Sequence, residues 1–129
     1  MSFVAFILDE QSHNKILKTF PPKHPDVLAH HVTLLFGQRM IEPSTVAAIA
    51  GTVNTVKVVG YCNDENAEAL VVEVNGDTIR PNGQTYHITL SIDRSNGIKP
   101  VYSNTLIEKN GWSTIDHPFY VTGLVQHQS

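Results

Sequence analysis

Cysteine is almost absent from the sequence: Cys62 is the single one among 129 residues, so no disulfide can form within the chain. This favours a reducing compartment. Long apolar runs are also missing, since no segment approaches the ~20 residues that a membrane helix requires. The N-terminal segment lacks the basic start and the cleavage site of a signal peptide. These absences together predict a cytoplasmic protein that has no contact with a membrane.

An excess of basic residues is missing as well. Nine Lys and Arg stand against twelve Asp and Glu, which gives a formal net charge of −3. Because binding of long duplex nucleic acid depends on many phosphate contacts, no such partner is expected. A small phosphate ligand needs only a local positive pocket, which this composition permits. Linkers and low-complexity stretches are absent too, and the length predicts one domain over residues 1–129. The oligomeric state stays open.

The apolar patterning predicts an α+β fold with few helices and mainly antiparallel sheets, because strands outnumber helices and short turns join several of them. We expect helices at 9–20 and 43–50 and a weaker extended segment at 101–107. The expected strands are 3–8, 30–36, 53–61, 67–74, 85–92 and 120–125. The second half offers no clear long helix to match the helix at 9–20.

One short motif occurs twice. The tetrapeptide His-Val-Thr-Leu at 31–34 recurs as His-Ile-Thr-Leu at 87–90, in each case within an expected strand. Residues i and i+2 of a strand point to the same face, so His31 projects with Thr33, and His87 with Thr89. We expect the apolar residues of these strands to point the other way, into a core: Val32, Leu34, Phe36, Ile88, Leu90 and Ile92. The repetition suggests two similar half-domains, each of which contributes one strand to a shared cleft.

Two such histidine and threonine pairs suit the cleavage of a phosphodiester. A neutral imidazole can take a proton from water or from a ribose hydroxyl, and a charged one can protonate the leaving oxygen. Histidine has an ordinary pKa of ~6.5, so both states are accessible near neutrality. The threonine hydroxyls can donate hydrogen bonds to the free phosphate oxygens. No metal or other cofactor is needed for this chemistry.

Two H-x-[ST] motifs in a small α+β domain are the signature of the 2H phosphoesterase superfamily, which this sequence resembles. Segments 3–12 and 30–37 look like the first half of such a domain, and segment 86–101 looks like the second half. The sequence is similar to the cyclic phosphodiesterase domains associated with tRNA ligases and RNA repair. Compact phage members of the superfamily degrade cyclic oligonucleotide signals of host immunity.

The resemblance implies a bilobal fold with a pseudo-two-fold axis through the cleft. It implies that His31 and His87 are catalytic, and that Thr33 and Thr89 bind the substrate phosphate. By the same analogy, His87 acts as the base and His31 as the acid when a cyclic phosphate is hydrolysed. The implied partner is a small nucleotide or an RNA end, with two competing substrates: a 2′,3′-cyclic phosphate or a cyclic oligonucleotide messenger.

Residues near the second motif are candidates for further substrate contacts. Lys99, Ser103 and Asn104 follow it and could reach a phosphate or a sugar. Aromatic side chains at the mouth of a cleft can stack on a base, for which Tyr86, Tyr102 and Trp112 are the candidates.

Two other hypotheses compete with an acid–base pair. A zinc site could draw on His30, His31, His87 and Asp93, although threonine at the spaced position is a poor zinc ligand. His30 is adjacent to His31 in the chain and should therefore point to the opposite face of its strand. The second hypothesis is a binding module that captures a nucleotide or an RNA end without turnover.

Overall fold

The structure is a computed structural model that describes residues 2–37 and 41–128. Its described residues form seven strands, three α-helices and a 3-10 turn at Arg94–Asn96. The strands are β1 (Ser2–Leu8), β2 (Asp26–Val27), β3 (His31–Gly37), β4 (Thr55–Asn63), β5 (Ala67–Glu73), β6 (His87–Ile92) and β7 (Ser113–Gln128). The helices are α1 (Glu10–Thr19), α2 (Pro43–Thr52) and α3 (Tyr102–Asn110). The predicted α+β class with antiparallel pairing is confirmed.

Six of the strands close into a barrel in the order β6-β3-β1-β7-β4-β5, because β5 pairs back with β6. Each of these pairings is antiparallel. The short strand β2 pairs with the far end of β6, beyond its contact with β3. The pairing of β3 with β6 is the shortest of the barrel, since it is limited to Val32 and Ile88. Among the residues that the structure describes, no helix is long and apolar enough to cross a membrane.

The barrel interior is filled by apolar side chains that alternate along the strands. Phe6 of β1, Leu70 of β5 and Ile88 of β6 are completely buried there. Each such side chain contributes about 1.5–3 kcal/mol relative to an exposed position. A second apolar cluster lies on the outer side of the sheet, where Leu106 of α3 packs against Ala69 of β5. This second cluster fixes α3 against β5 and β4.

Local sequence signals account for α1. Asp9 precedes the helix and its carboxylate accepts a hydrogen bond from the backbone N–H of Ser12 at 2.8 Å, which satisfies one of the unpaired donors of the first turn. Ile16 is completely buried against the core. The helix ends before Pro21, which has no N–H to continue it. The predicted helix at 9–20 is confirmed within one residue at each end.

The prediction of an extended segment at 101–107 is wrong, since Tyr102–Asn110 forms α3. Ser103, Leu106 and Ile107 share one buried face at the i, i+3, i+4 spacing of a helix. Packing of that face on the sheet decides the conformation. The second half therefore does contain a helix, which has nine residues. Its apolar pattern alone did not reveal it.

Both H-x-T-L segments end in a β-bulge. In β3, Thr33 and Leu35 pair with consecutive residues of β1, so the intervening Leu34 is unpaired. In β6, Leu90 is left unpaired in the same way opposite β5. A bulge inserts one residue and reverses the alternation of side chains beyond it. The repeated tetrapeptide is thus also a repeated backbone feature.

The bulges correct two predicted core positions. Phe36 was expected in the core with Val32, but it is 44% exposed and lies on the same face as His31. Ile92 is buried as predicted, but it packs in the outer cluster beneath α3 rather than in the barrel. Strict alternation holds only up to the bulge, and both residues lie beyond it.

Candidate active site

Strands β3 and β6 meet at a single register position, where Val32 pairs with Ile88. Both of these side chains are completely buried in the barrel. The residues on either side of an antiparallel pair point to the opposite face of the sheet. The outer face of this seam therefore carries two residues from each repeat: His31, Thr33, His87 and Thr89.

These four side chains line one cavity of about 320 Å³. Residues from the loop before β6 and from the start of α3 complete its wall. The full lining is His31, Thr33, Phe36, Arg80, Gln84, His87, Thr89, Pro100, Val101 and Asn104. The structure thus brings the two predicted pairs together, although they lie more than fifty positions apart in the sequence.

His87 has a defined tautomer when it is neutral. Its Nδ1 lies 2.9 Å from the backbone oxygen of Thr85, and a carbonyl oxygen can only accept. Nδ1 therefore carries the hydrogen, which leaves the lone pair on Nε2. Burial lowers the pKa of His87 to about 4, opposed by the Thr85 bond and assisted by the charges of Arg80 and His31. A neutral imidazole with a bare Nε2 is the form that a general base requires.

His31 is held differently. Burial lowers its pKa, and the neighbouring charge of His30 adds to that effect. Its ring lies beside that of Phe3, with 6.0 Å between the ring centroids. An anion between the two imidazoles would favour their charged forms and so raise the pKa of each. The cavity can therefore hold one charged and one neutral histidine when a phosphate occupies it.

Thr89 is oriented by groups behind it. Its hydroxyl donates to the backbone oxygen of Pro100 at 3.3 Å and lies 2.8 Å from the hydroxyl of Ser103. Ser103 was predicted to contact the substrate, but it is completely buried in α3 and does not line the cavity. Ser103 instead supports Thr89 through the contact between their hydroxyls.

Arg80 is a cavity residue that the sequence analysis missed. Its guanidinium donates to four neutral oxygens: the backbone oxygen of Thr33 at 3.3 Å and the side-chain oxygens of Asn82 at 3.1 Å, Gln84 at 2.7 Å and Asn104 at 3.5 Å. Only 6% of the residue is exposed. Burial lowers its pKa, but an arginine stays protonated in proteins. A positive charge is thus fixed in the wall of the cavity by partners that do not neutralise it.

The sequence held a weak signal for this arginine. Arg80 belongs to the segment Ile-Arg-Pro-Asn-Gly, whose Asn82-Gly83 pair is typical of a turn. In the structure this turn folds back so that Arg80 reaches the backbone of Thr33 in the other repeat. A basic residue in a turn shortly before the second histidine is the pattern that could have found it.

The remaining candidates lie elsewhere. Tyr86 precedes His87 in the chain, points to the opposite side of the sheet and packs in the barrel core. Lys99 lines a neighbouring cavity of about 390 Å³ together with Tyr102. Trp112 lines another neighbouring cavity, on the other side of Asn104.

The additional residues of the zinc hypothesis are engaged away from the cavity. The ring of His30 stacks on that of His13, with 5.4 Å between the ring centroids. Asp93 accepts a hydrogen bond from the backbone N–H of Ser95 at 3.1 Å and so caps the 3-10 turn. Within residues 2–37 and 41–128, no three His, Cys, Asp or Glu side chains are placed to hold a metal ion together.

Comparison with known proteins gives one informative match. No protein-family model matches the chain, and no curated protein is significantly similar to it. A solved structure, titled as the crystal structure of a fungal RNA kinase, superimposes with a TM-score of 0.60 over 96% of this chain at 12% identity. This chain corresponds to 44% of the length of that protein. The two proteins share a fold.

Proposed function

We propose that this chain is a metal-independent phosphodiesterase of the 2H type that cleaves a ribose phosphodiester by two-histidine acid–base catalysis. One observation carries the proposal: His31, Thr33, His87 and Thr89 line a single cavity, with the charge of Arg80 in its wall. The matching bulges at Leu34 and Leu90 support a pseudo-two-fold relation between the repeats, as the resemblance to the 2H superfamily implies.

The hydrolysis of a 2′,3′-cyclic phosphate illustrates the reaction. The Nε2 atom of His87 takes a proton from water, and the water oxygen forms a bond to phosphorus. The bond between phosphorus and one ribose oxygen breaks, and His31 gives its proton to that oxygen. One water is added and the product is a phosphomonoester. The tautomer that the Thr85 carbonyl imposes on His87 supports this assignment of roles.

The remaining cavity residues act on the phosphate itself. Negative charge on its free oxygens persists through the transition state, and fixed donors in a cavity stabilise that charge. Thr33 supplies a hydroxyl donor, and the hydroxyl of Thr89 can turn from Pro100 to the phosphate while it accepts from Ser103. Arg80 supplies a charge whose position is set by its neutral partners. Because the guanidinium is already held in place, little reorganisation accompanies binding of the phosphate.

Two observations support the substrate class. The fold is shared with a protein whose title names an RNA kinase, which favours a ribonucleotide substrate. The net charge of −3 favours a small ligand or a chain end over a long duplex. The candidates are the 2′,3′-cyclic phosphate of an RNA or nucleotide end and a cyclic oligonucleotide signal.

A substrate panel in EDTA tests the proposal. It contains 2′,3′-cyclic mononucleotides, RNA that ends in a cyclic phosphate, and cyclic di- and trinucleotides, with products separated by chromatography. We expect turnover of at least one class by the native chain and none by a variant that carries both His31→Ala and His87→Ala. Saturable binding without product would instead favour a module that captures nucleotides or RNA ends. Activity lost in EDTA and restored by zinc would contradict the metal-independent mechanism.

A further inference from the structure

A second cavity of about 480 Å³ adjoins the catalytic one. The side chains of Gln84 and Asn104 belong to the walls of both cavities and form the divide between them. We call this second space the Trp112 cavity; it is lined by Asn82, Gly83, Gln84, Thr85, Asn104, Ile107, Glu108, Gly111 and Trp112. A ligand whose phosphate lies next to Arg80 can therefore extend past this divide into the Trp112 cavity.

Trp112 packs closely against a neighbouring strand although it is partly exposed. Its six-membered ring packs against the backbone of Gly60 in β4, so closely that a Cβ at that position would lie 2.1 Å from the indole Cε3. The residue nevertheless keeps 39% of its surface exposed. A flat aromatic surface that is fixed beside a phosphate site is suited to stacking with a nucleobase.

The charges of the two cavities differ. The catalytic cavity carries the guanidinium of Arg80, whereas the Trp112 cavity carries the carboxylate of Glu108. A carboxylate disfavours phosphate and accepts hydrogen bonds from amino or hydroxyl groups. Oε1 of Gln84 accepts from Arg80 and from Asn82, so the amide of Gln84 is oriented with its Nε2 donor away from Arg80. These groups suit the uncharged base and sugar of a nucleoside rather than a second phosphate.

We propose that the Trp112 cavity binds a second nucleoside of the substrate, with its base stacked on Trp112, while the phosphodiester occupies the catalytic cavity. This inference rests on the proposed function and narrows its substrate class. The preferred substrate is then an oligonucleotide, either an RNA end of two or more nucleotides or a cyclic oligonucleotide, rather than a cyclic mononucleotide.

Kinetics on matched substrates test the proposal. The native chain should have a higher kcat/KM for the dinucleotide ApA ending in a 2′,3′-cyclic phosphate than for adenosine 2′,3′-cyclic phosphate. Trp112→Leu should lower kcat/KM for the dinucleotide by roughly 5- to 100-fold, the range expected for the loss of one base stack. It should leave the mononucleotide unchanged. Tyr120→Leu, which removes an exposed aromatic residue of β7 far from this cavity, should change neither.

A second variant guards against a folding defect, because Trp112 packs on Gly60. Glu108→Gln alters an exposed side chain of α3 and should lower kcat/KM for the dinucleotide by a smaller factor, again without effect on the mononucleotide. Equal losses on both substrates in Trp112→Leu and in Glu108→Gln would overturn the second subsite and leave the proposed function intact.

Fluorescence tests the subsite without turnover. Trp112 is the single tryptophan of the chain, so its emission reports directly on stacking. In the variant that carries both His31→Ala and His87→Ala, which should not cleave it, deoxyadenylyl-deoxyadenosine should quench that emission saturably and at lower concentration than adenosine monophosphate does. Quenching together with inactivity on the whole substrate panel would contradict the proposed function and support the subsite. Absence of quenching by the dinucleotide would overturn the subsite.

Discussion

The first H-x-T-L segment lies in β3 between β1 and β6, and the second lies in β6 between β3 and β5. Both segments place a histidine and a threonine on the outer face and leave the leucine in a bulge. Their supports differ. In the second segment, backbone oxygens and Ser103 hold His87 and Thr89. In the first, Arg80 binds the backbone of Thr33, and His31 lies beside an aromatic ring.

Under the proposed mechanism, this difference suits the two copies of the tetrapeptide to two chemical roles. A histidine whose Nδ1 donates to a carbonyl presents a fixed lone pair, as a base requires. His31 has a pKa lowered by burial and by the charge of His30, and a bound phosphate counteracts both effects, as an acid requires. The repeated sequence thus determines the face on which each histidine and threonine lie, and the neighbouring elements distinguish the proposed roles of the two copies.

Removal of either histidine has the largest expected effect. His31→Ala and His87→Ala should each lower kcat/KM on a 2′,3′-cyclic phosphate by about 10²- to 10⁴-fold, because each loses one proton-transfer group. The matched control is His117→Ala, an exposed histidine of β7, which should retain full activity. Steady-state kinetics in EDTA measures these effects. Near-normal activity of either His31→Ala or His87→Ala would contradict the proposed acid–base pair.

Arg80→Lys should have the second-largest effect on kcat/KM. Lysine keeps the charge but not the planar fork that reaches the neutral oxygens on both sides of the cavity. We expect kcat/KM to fall by roughly 10²-fold, with weaker inhibition by inorganic phosphate. Arg94→Lys, at an exposed position of the 3-10 turn, provides the control. Unchanged phosphate inhibition in Arg80→Lys would show that this charge does not act on the substrate.

The pH dependence of kcat/KM tests the two proposed roles separately, because it reports the pKa values of His87 and His31. The base His87 must be neutral, so activity should rise through its pKa of about 4. The acid His31 must be protonated, so activity should fall through a pKa that burial places below the ordinary 6.5. The plot of kcat/KM should be bell-shaped with an acidic optimum, and at pH 7.5 it should lie below about a tenth of its maximum. A maximum above pH 7 would contradict these assignments.

Ser103→Ala should have the smallest effect. The buried hydroxyl supports Thr89 by one neutral hydrogen bond, so its loss should lower kcat/KM by about 2- to 10-fold. Combined with Thr89→Ala it should add almost nothing, because the two residues act through one contact. Thr105→Ala, on the exposed face of the same helix, is the control. Additive losses in the double variant would mean that Ser103 acts independently of Thr89.

Local pattern was sufficient to predict which residues of the candidate site share a face, but little of what surrounds them. Alternation along a strand depends only on neighbouring residues, so the shared face of His87 and Thr89 could be predicted. The bulge that exposes Phe36 depends on pairing with β1, and closure of the barrel depends on pairing between β5 and β6. Neither pairing leaves a local signature in the sequence. Arg80 was missed for the same reason, since its contact with Thr33 spans 47 positions.

The most direct test of the central claim compares two leaving groups. A deoxynucleoside 5′-(p-nitrophenyl) phosphate has no 2′-hydroxyl, so water is the nucleophile, and p-nitrophenolate leaves without needing a proton. His31→Ala should therefore regain most of its lost activity on this substrate. His87→Ala should stay as impaired as it is on a 2′,3′-cyclic phosphate. Equal rescue of both variants, or of neither, would contradict the assignment of one base and one acid to the two repeats.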